Sequence, residues 1–272
     1  MYDTALIADK RDGSFWLKEK EQIATAAIHL RVNGLFKNWK NGEKVLKDIS
    51  FSIRKGQALA LIGHNGSGKS TLLRCCLRLI EPSSGTIHLL DREITGLPRH
   101  RVRSTCARVG FIFQRHNLVP RLSVLSNVLH GAQARKKGPR VWYQSLACRE
   151  DREEAMHCLD RVGLAHLAAR RADQLSGGES QRVAIARALM QKPQMMMADE
   201  PVASLDPQAG EEVMELFLSL LEKEGLTFLF VSHNLDHALR YSKRIIGLKK
   251  GCLALDSLSI NENETSLHKF FS

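Results

Sequence analysis

The sequence contains no long apolar run. Its longest, such as ALALIG (58–63) and TFLFV (227–231), are strand-sized, far short of the ~18 residues of a membrane helix. Work at a membrane would therefore require other subunits to do the crossing. The N-terminus carries Asp3, Asp9, Lys10, Arg11 and Asp12 with no continuous apolar core, and is expected not to be a secretory signal. None of the six cysteines (75, 76, 106, 148, 158 and 252) forms a C-x-x-C pair or keeps zinc-ligand spacing with a histidine. That argues against a zinc module and fits reduced, mostly buried thiols. There is no internal repeat and no low-complexity segment. The basic clusters PRHRVRS (98–104), ARKKGPR (134–140) and Lys249–Lys250 lack interleaved aromatics, and no nucleic-acid module is recognisable. The net charge of +11 is therefore read as solvated faces, or a face toward an anionic membrane surface, before nucleic acid.

The 272 residues, 43% hydrophobic and 25% charged, suffice for one large domain carrying an inserted lobe. Strands are expected at 27–36, 46–53, 56–63, 85–90, 108–113, 194–199, 226–232 and 244–249. GQALALIG (56–63) is bounded by glycines and apolar from Ala58 on, the pattern of a strand buried in a parallel sheet. Helices are expected at Lys69–Ile80, 208–223 and 234–241, with a mostly helical run over 115–175 broken by a loop near KKGPRVWYQ. Strand–helix alternation with an inserted helical stretch indicates an α/β domain with a helical subdomain. Residues 1–27 are set apart as an N-terminal extension and 257–272 as a C-terminal tail.

GHNGSGKST (Gly63–Thr71) fits G-x-x-x-x-G-K-[ST], between a buried strand and a helix, the context that the motif requires. Gly63, Gly66 and Gly68 let the backbone curl and aim N–H groups inward. Asn65, Ser67 and Thr71 complete the phosphate cradle. Lys69 offers a cation to the β- and γ-phosphates and Ser70 a hydroxyl to Mg²⁺. MMMADEP supplies a second metal ligand at a strand end, Asp199, followed by Glu200, the candidate to polarise an attacking water. A second helix end is anion-ready: Ser176, Gly177 and Gly178 open the helix of LSGGESQRVAIARAL. It has no lysine and no metal ligand nearby. An incomplete anion site of this kind completes a site elsewhere, and a two-fold arrangement satisfies both copies at once.

With these motifs in place, residues 28–256 resemble the ATPase subunit of an ATP-binding-cassette (ABC) transporter. LSGGE (Leu175–Glu179) is similar to the family signature LSGGQ, with Glu179 in place of the usual glutamine. FIFQ ends on Gln114, matching the Q-loop glutamine; SLD gives Asp206 in the D-loop; VSH gives the switch histidine, His233. Trp39 stands where the family places an aromatic against adenine. The resemblance implies a P-loop NTPase core, a mainly parallel sheet plus an antiparallel β subdomain, with an inserted α-helical subdomain over about 115–180.

It further implies ATP and Mg²⁺ as cofactors, with Glu200, His233 and Gln114 catalytic and Ser70, Gln114 and Asp199 at the metal. Ser176, Gly178 and Asp206 would contact nucleotide across a head-to-tail homodimer. Two integral-membrane permease subunits and, for an importer, an extracytoplasmic substrate-binding protein are the implied partners, at the cytoplasmic face of the inner membrane. HNLVPRLSVLSNVLHGA (116–132), the insertion with Trp142, DEPVASLDP (199–207) and HALRYSKRIIGLKKG (237–251) look like the phosphonate- and phosphite-import ATPases. Another importer, an efflux or lipoprotein-release ATPase, and a soluble cassette acting on nucleic acid stay open as alternatives.

Overall fold

The computed structural model describes residues 26–114, 116–136, 144 and 146–271. Most of the insertion, Trp142 included, and the first 25 residues lie outside these. The chain begins with β1 (Ile28–Asn38) and β2 (Lys44–Arg54), crosses to β3 (Ala58–Gly63) and turns into α1 (Lys69–Cys76). β4 (Ser84–Leu89), β5 (Arg92–Glu93), α2 (Arg99–Cys106) and β6 (Val109–Ile112) follow. Next come α3 (Val124–Leu129), α4 (Arg149–Arg161), α5 (Gly177–Leu189), β7 (Met195–Ala198) and α6 (Pro207–Glu224). The order closes with β8 (Thr227–Val231), α7 (Leu235–Tyr241), β9 (Arg244–Lys249), β10 (Cys252–Leu258) and α8 (Glu264–Phe271).

Two sheets result. One is antiparallel, in the order β2-β1-β4-β5; the other runs β10-β9-β3-β8-β7-β6. In the second, β9, β3, β8, β7 and β6 are parallel and only β10 is antiparallel. Strand alternation sends side chains to two cores. Leu59, Leu61, Met195, Met197, Leu229 and Val231 pack between the sheets with Leu30, Val32 and Ile53. Ala60, Ile62, Met196, Ala198, Phe228 and Phe230 face the helices on the other side. Burial on both faces is why these strands read as unbroken apolar runs, and why the Met195–Met197 run is core.

Three segments depart from expectation. The helix expected over Lys69–Ile80 stops at Cys76, because Arg78 takes a left-handed φ of 49° and its guanidinium donates to the carbonyls of Ile94 and Leu97 at 2.5 and 2.8 Å. The described part of 115–175 is less helical than expected: a 3₁₀ turn at His130–Ala134 follows α3, and two more, at Ala165–Leu167 and Ala172–Gln174, follow α4. The fold also continues past the boundary at 256. β10 runs to Leu258 and α8 follows, with Leu267 fully buried.

Candidate functional site

The parallel strands deliver their carboxyl ends to one edge, the usual place for a ligand in an open α/β sheet. β3 ends in Gly63, β7 is followed by Asp199 and Glu200, β8 by His233 and β6 by Gln114. The loop after β3 needs its glycines. Gly63, Gly66 and Gly68 have φ of 150°, 78° and 104°. A Cβ on Gly63 would stand 2.4 Å from the Leu248 carbonyl oxygen, and one on Gly68 2.8 Å from Leu46.

Lys69 opens α1 and is buried; its ammonium donates to the carbonyls of Gly63 (2.7 Å) and His64 (3.0 Å). Burial lowers its pKa, with Glu200 and Asp199 pulling the other way. Ser70 Oγ donates to Asp199 Oδ1 at 2.8 Å, and Asp199 is 2% exposed. Two hard oxygen donors thus lie side by side next to the lysine. This suits Mg²⁺, which prefers one or two protein oxygens plus substrate phosphates to an all-protein cage. The buried Ser67 Oγ has no hydrogen-bond partner among the described residues, an open polar position inside the cradle.

Gln114 and His233 converge on Glu200. The Gln114 amide donates to Glu200 Oε2 at 3.2 Å, and His233 Nδ1 lies 3.8 Å from the same oxygen. Glu200 itself holds a left-handed φ of 51°, strain of about 1–3 kcal/mol that structures typically keep where the side chain must be aimed.

The second anion-ready end stands apart. Ser176 is the N-cap of α5 in a capping box: its Oγ accepts from Glu179 N at 3.2 Å, and Glu179 Oε2 accepts from Ser176 N at 2.7 Å. The residue that departs from the family signature thus has a structural job. The capping box engages the N–H groups of Ser176 and Glu179, and leaves those of Gly177 and Gly178 as the donors at the helix mouth. Ser176, Gly177 and Gly178 line an open cleft of ≈ 350 Å³ with Arg182, Ser204 and Asp206. No cradle residue lines it. Asp206 caps α6, accepting from Ala209 N at 3.0 Å. Trp39 stands in the β1–β2 turn, 39% exposed, with the Lys37 ammonium over its ring. Asn65 is exposed and Thr71 half-buried beside Ser70. Within one chain the structure therefore gathers Lys69, Ser70, Asp199, Glu200, Gln114 and His233, and does not bring Ser176–Gly178 to them.

A family model described as ABC transporter matches residues 46–203, more than half of the chain. The chain belongs to the ABC transporter family. Its cassette is 42% identical over 230 residues to a phosphonates import ATP-binding protein PhnC 1 of Ruegeria sp., covering 84% of this chain and 88% of the relative. It is 45% identical over 255 residues to PhnC 2 of Pseudomonas savastanoi pv. phaseolicola, covering 90% and 89%. Among solved structures it is similar to the dimeric post-hydrolysis state of the ATP-binding cassette MJ0796 bound to ADP and Pi, with TM-score 0.75, 32% identity and coverage of 85% and 98%. The ADP conformation of MJ1267 superposes with TM-score 0.78 at 27% identity, covering 90% and 99%. The fold is thus the α/β P-loop cassette, and the chain is an ATP-hydrolysing transporter subunit. No described helix is long and apolar enough to cross a membrane.

Two cassette residues near the site escaped the sequence reading. Arg74 places a guanidinium nitrogen 3.6 Å from Asp199 Oδ2; its signal was there, four residues after Ser70 on the same helix. Glu211 accepts from Tyr241 OH at 2.5 Å and Arg240 at 2.9 Å, and bonds His237 Nε2 at 2.9 Å. This network bolts α6 to α7 beside a second cleft shared with Glu200 and His233. No local motif marks it.

Proposed function

We propose that this protein powers an importer for phosphonate, phosphite or a related phosphorus oxyanion, working as a head-to-tail homodimer beneath two membrane permease subunits at the cytoplasmic face of the cell membrane. An extracytoplasmic binding protein delivers the cargo. The cargo assignment is supported by 42–45% identity across 84–90% of the chain to proteins named for phosphonate import.

The chemistry rests on one observation, the convergence of Gln114 and His233 on Glu200 beside the Ser70–Asp199 pair. In this reading Trp39 stacks on the adenine. The N–H groups of residues 65–71 and the Lys69 ammonium hold the phosphates. Mg²⁺, when bound, neutralises phosphate charge, and Ser70 and Asp199, with Gln114, are the groups that would hold it. Glu200 accepts a proton from the attacking water and His233 steadies the water and the terminal phosphate. Gly177 and Gly178 of one copy donate to the γ-phosphate held by the other, and Ser176 and Asp206 complete that wall. Closing needs the triphosphate; hydrolysis removes the bridging charge and the pair opens. Gln114, at the entry to the lobe of α3–α5, carries the change toward the permease.

The experiment is transport with the chain deleted. Cells lacking it are expected to lose growth on a phosphonate or phosphite as sole phosphorus source while growing on phosphate. The wild-type chain restores growth and Glu200→Gln does not. Unimpaired phosphonate and phosphite uptake in the deletion strain overturns the cargo reading.

A further inference from the structure

The last carbonyls of a helix have no partner within it. In α8 two of them are met from the nucleotide end of the sheet. Lys249 Nζ donates to the Phe270 carbonyl at 3.3 Å, and His64 Nε2 bonds the Phe271 carbonyl at 2.7 Å. A carbonyl only accepts, so His64 Nε2 carries the hydrogen. The His64 ring also meets the Phe271 ring edge-on, with centroids 5.0 Å apart.

The helix end is itself seated. Leu267 is fully buried in the helix-side core, with Phe270 and Phe271 packed against it. Phe270 lies over Gly247, where a Cβ would come 2.6 Å from its ring. The other end of the tie is the cradle: His64 is the second residue of the glycine loop, and its carbonyl is one of the two that hold the Lys69 ammonium.

We propose that His64 is a positioning residue for the cradle, and that α8 acts through it to hold the loop ready for the triphosphate. Resting on the reading of Gly63–Thr71 as the ATP cradle, the tie spares nucleotide binding the cost of ordering residues 63–65. It touches neither Glu200 nor the attacking water, so its loss moves ATP affinity and not the chemical step.

The test compares wild type, His64→Ala, His64→Gln and the double variant Phe270→Ala/Phe271→Ala. ATP affinity, KM and kcat are measured in detergent-free protein whose melting shows it folded. The double variant keeps Leu267 in place, so the helix is loosened at its end and not removed. His64→Ala is expected to raise Kd and KM for ATP about three- to tenfold, the worth of one hydrogen bond, with kcat within twofold. His64→Gln keeps an N–H of similar reach and recovers most of the loss. The double variant matches His64→Ala, and combining all three changes adds little, because one link is being cut twice. Wild-type protein that takes no ATP overturns the reading of the cradle and this inference with it. Wild-type binding with His64→Ala unchanged overturns this inference alone. So does a lower melting point with unchanged KM, which marks His64 as a helix cap only, or effects that multiply.

Discussion

Gln114 Nε2 and Glu200 Oε2 lie 3.2 Å apart, joining the end of β6 to the end of β7. The register explains it: Ile112 pairs with Ala198, so the residues two beyond each strand meet. One of the pair leads into the helical lobe and the other carries the acidic group beside the cradle. The contact therefore ties the entry to the helical lobe to the acidic edge of the sheet.

Replacing Glu200, the proposed base, tests that edge. Glu200→Gln keeps a side chain of the same shape for Gln114 to bond and loses the proton acceptor. Steady-state hydrolysis should fall on the order of 10²–10⁴-fold while ATP binding persists. ATP should then drive the variant into a stable pair, read by light scattering. A monomeric Glu200→Gln protein with full turnover refutes the assignment.

Lys69 gives a pH dependence. Burial lowers its pKa below the ordinary 10.5, so the ammonium loses its proton sooner than a free lysine as pH rises. A bound triphosphate favours the charged form. ATP affinity should therefore fall with rising pH starting below 10.5, and binding in that range should take up a proton. Calorimetry in buffers of different ionisation enthalpy reads the uptake. Pure proton release on binding there contradicts the assignment of Lys69 to the phosphates.

Lys69→Ala and Gly178→Asp are expected to fail for different reasons. The first loses ATP binding. The second keeps it and loses turnover, because it sets a carboxylate at the helix mouth and a Cβ 3.2 Å from Ala209. Mixing the two inactive proteins should restore hydrolysis to about a quarter of the wild-type rate, since half the pairs are mixed and each mixed pair keeps one intact site out of two. No recovery in a mixture shown to contain mixed pairs counts against shared sites.

Glu179 is expected to act on stability. The Ser176 backbone N–H holds its pKa below the ordinary 4.5. A carboxylate lowered in the folded state stabilises above 4.5, and that contribution is lost as pH falls through the lowered value. Glu179→Gln, which retains a capping box, should cost little near neutral pH and flatten the acid limb of the melting profile below 4.5. A large loss of turnover at pH 7 contradicts the capping role.

Much of the fold was legible because its central strands are buried on both faces. ALALIG, QMMMAD and TFLFV announced themselves as apolar runs, and GHNGSGKST located the cradle by chemistry as well as spacing. What escaped is non-local. β10 alternates exposed and half-buried positions without a strong apolar face, and α8 is held by Leu267, Gly247 and His64, none of which marks a helix in sequence. Contacts 207 residues apart, such as His64 to Phe271, leave no trace in local pattern. The same holds for the left-handed turn at Arg78 that ends α1 early, and for Glu200, whose backbone strain appears only when β7 is seen to stop at Ala198.

The central claim is that each nucleotide is enclosed by the cradle of one copy and the Ser176–Gly178 helix end of the other. The most direct measurement is a crystal or cryo-electron-microscopy structure of Glu200→Gln with Mg²⁺ and ATP. The account predicts the Gly178 N–H of one copy about 3 Å from a γ-phosphate oxygen held by Lys69 of the other. A γ-phosphate enclosed by one chain alone, with the opposing Gly178 far from any nucleotide, would contradict it.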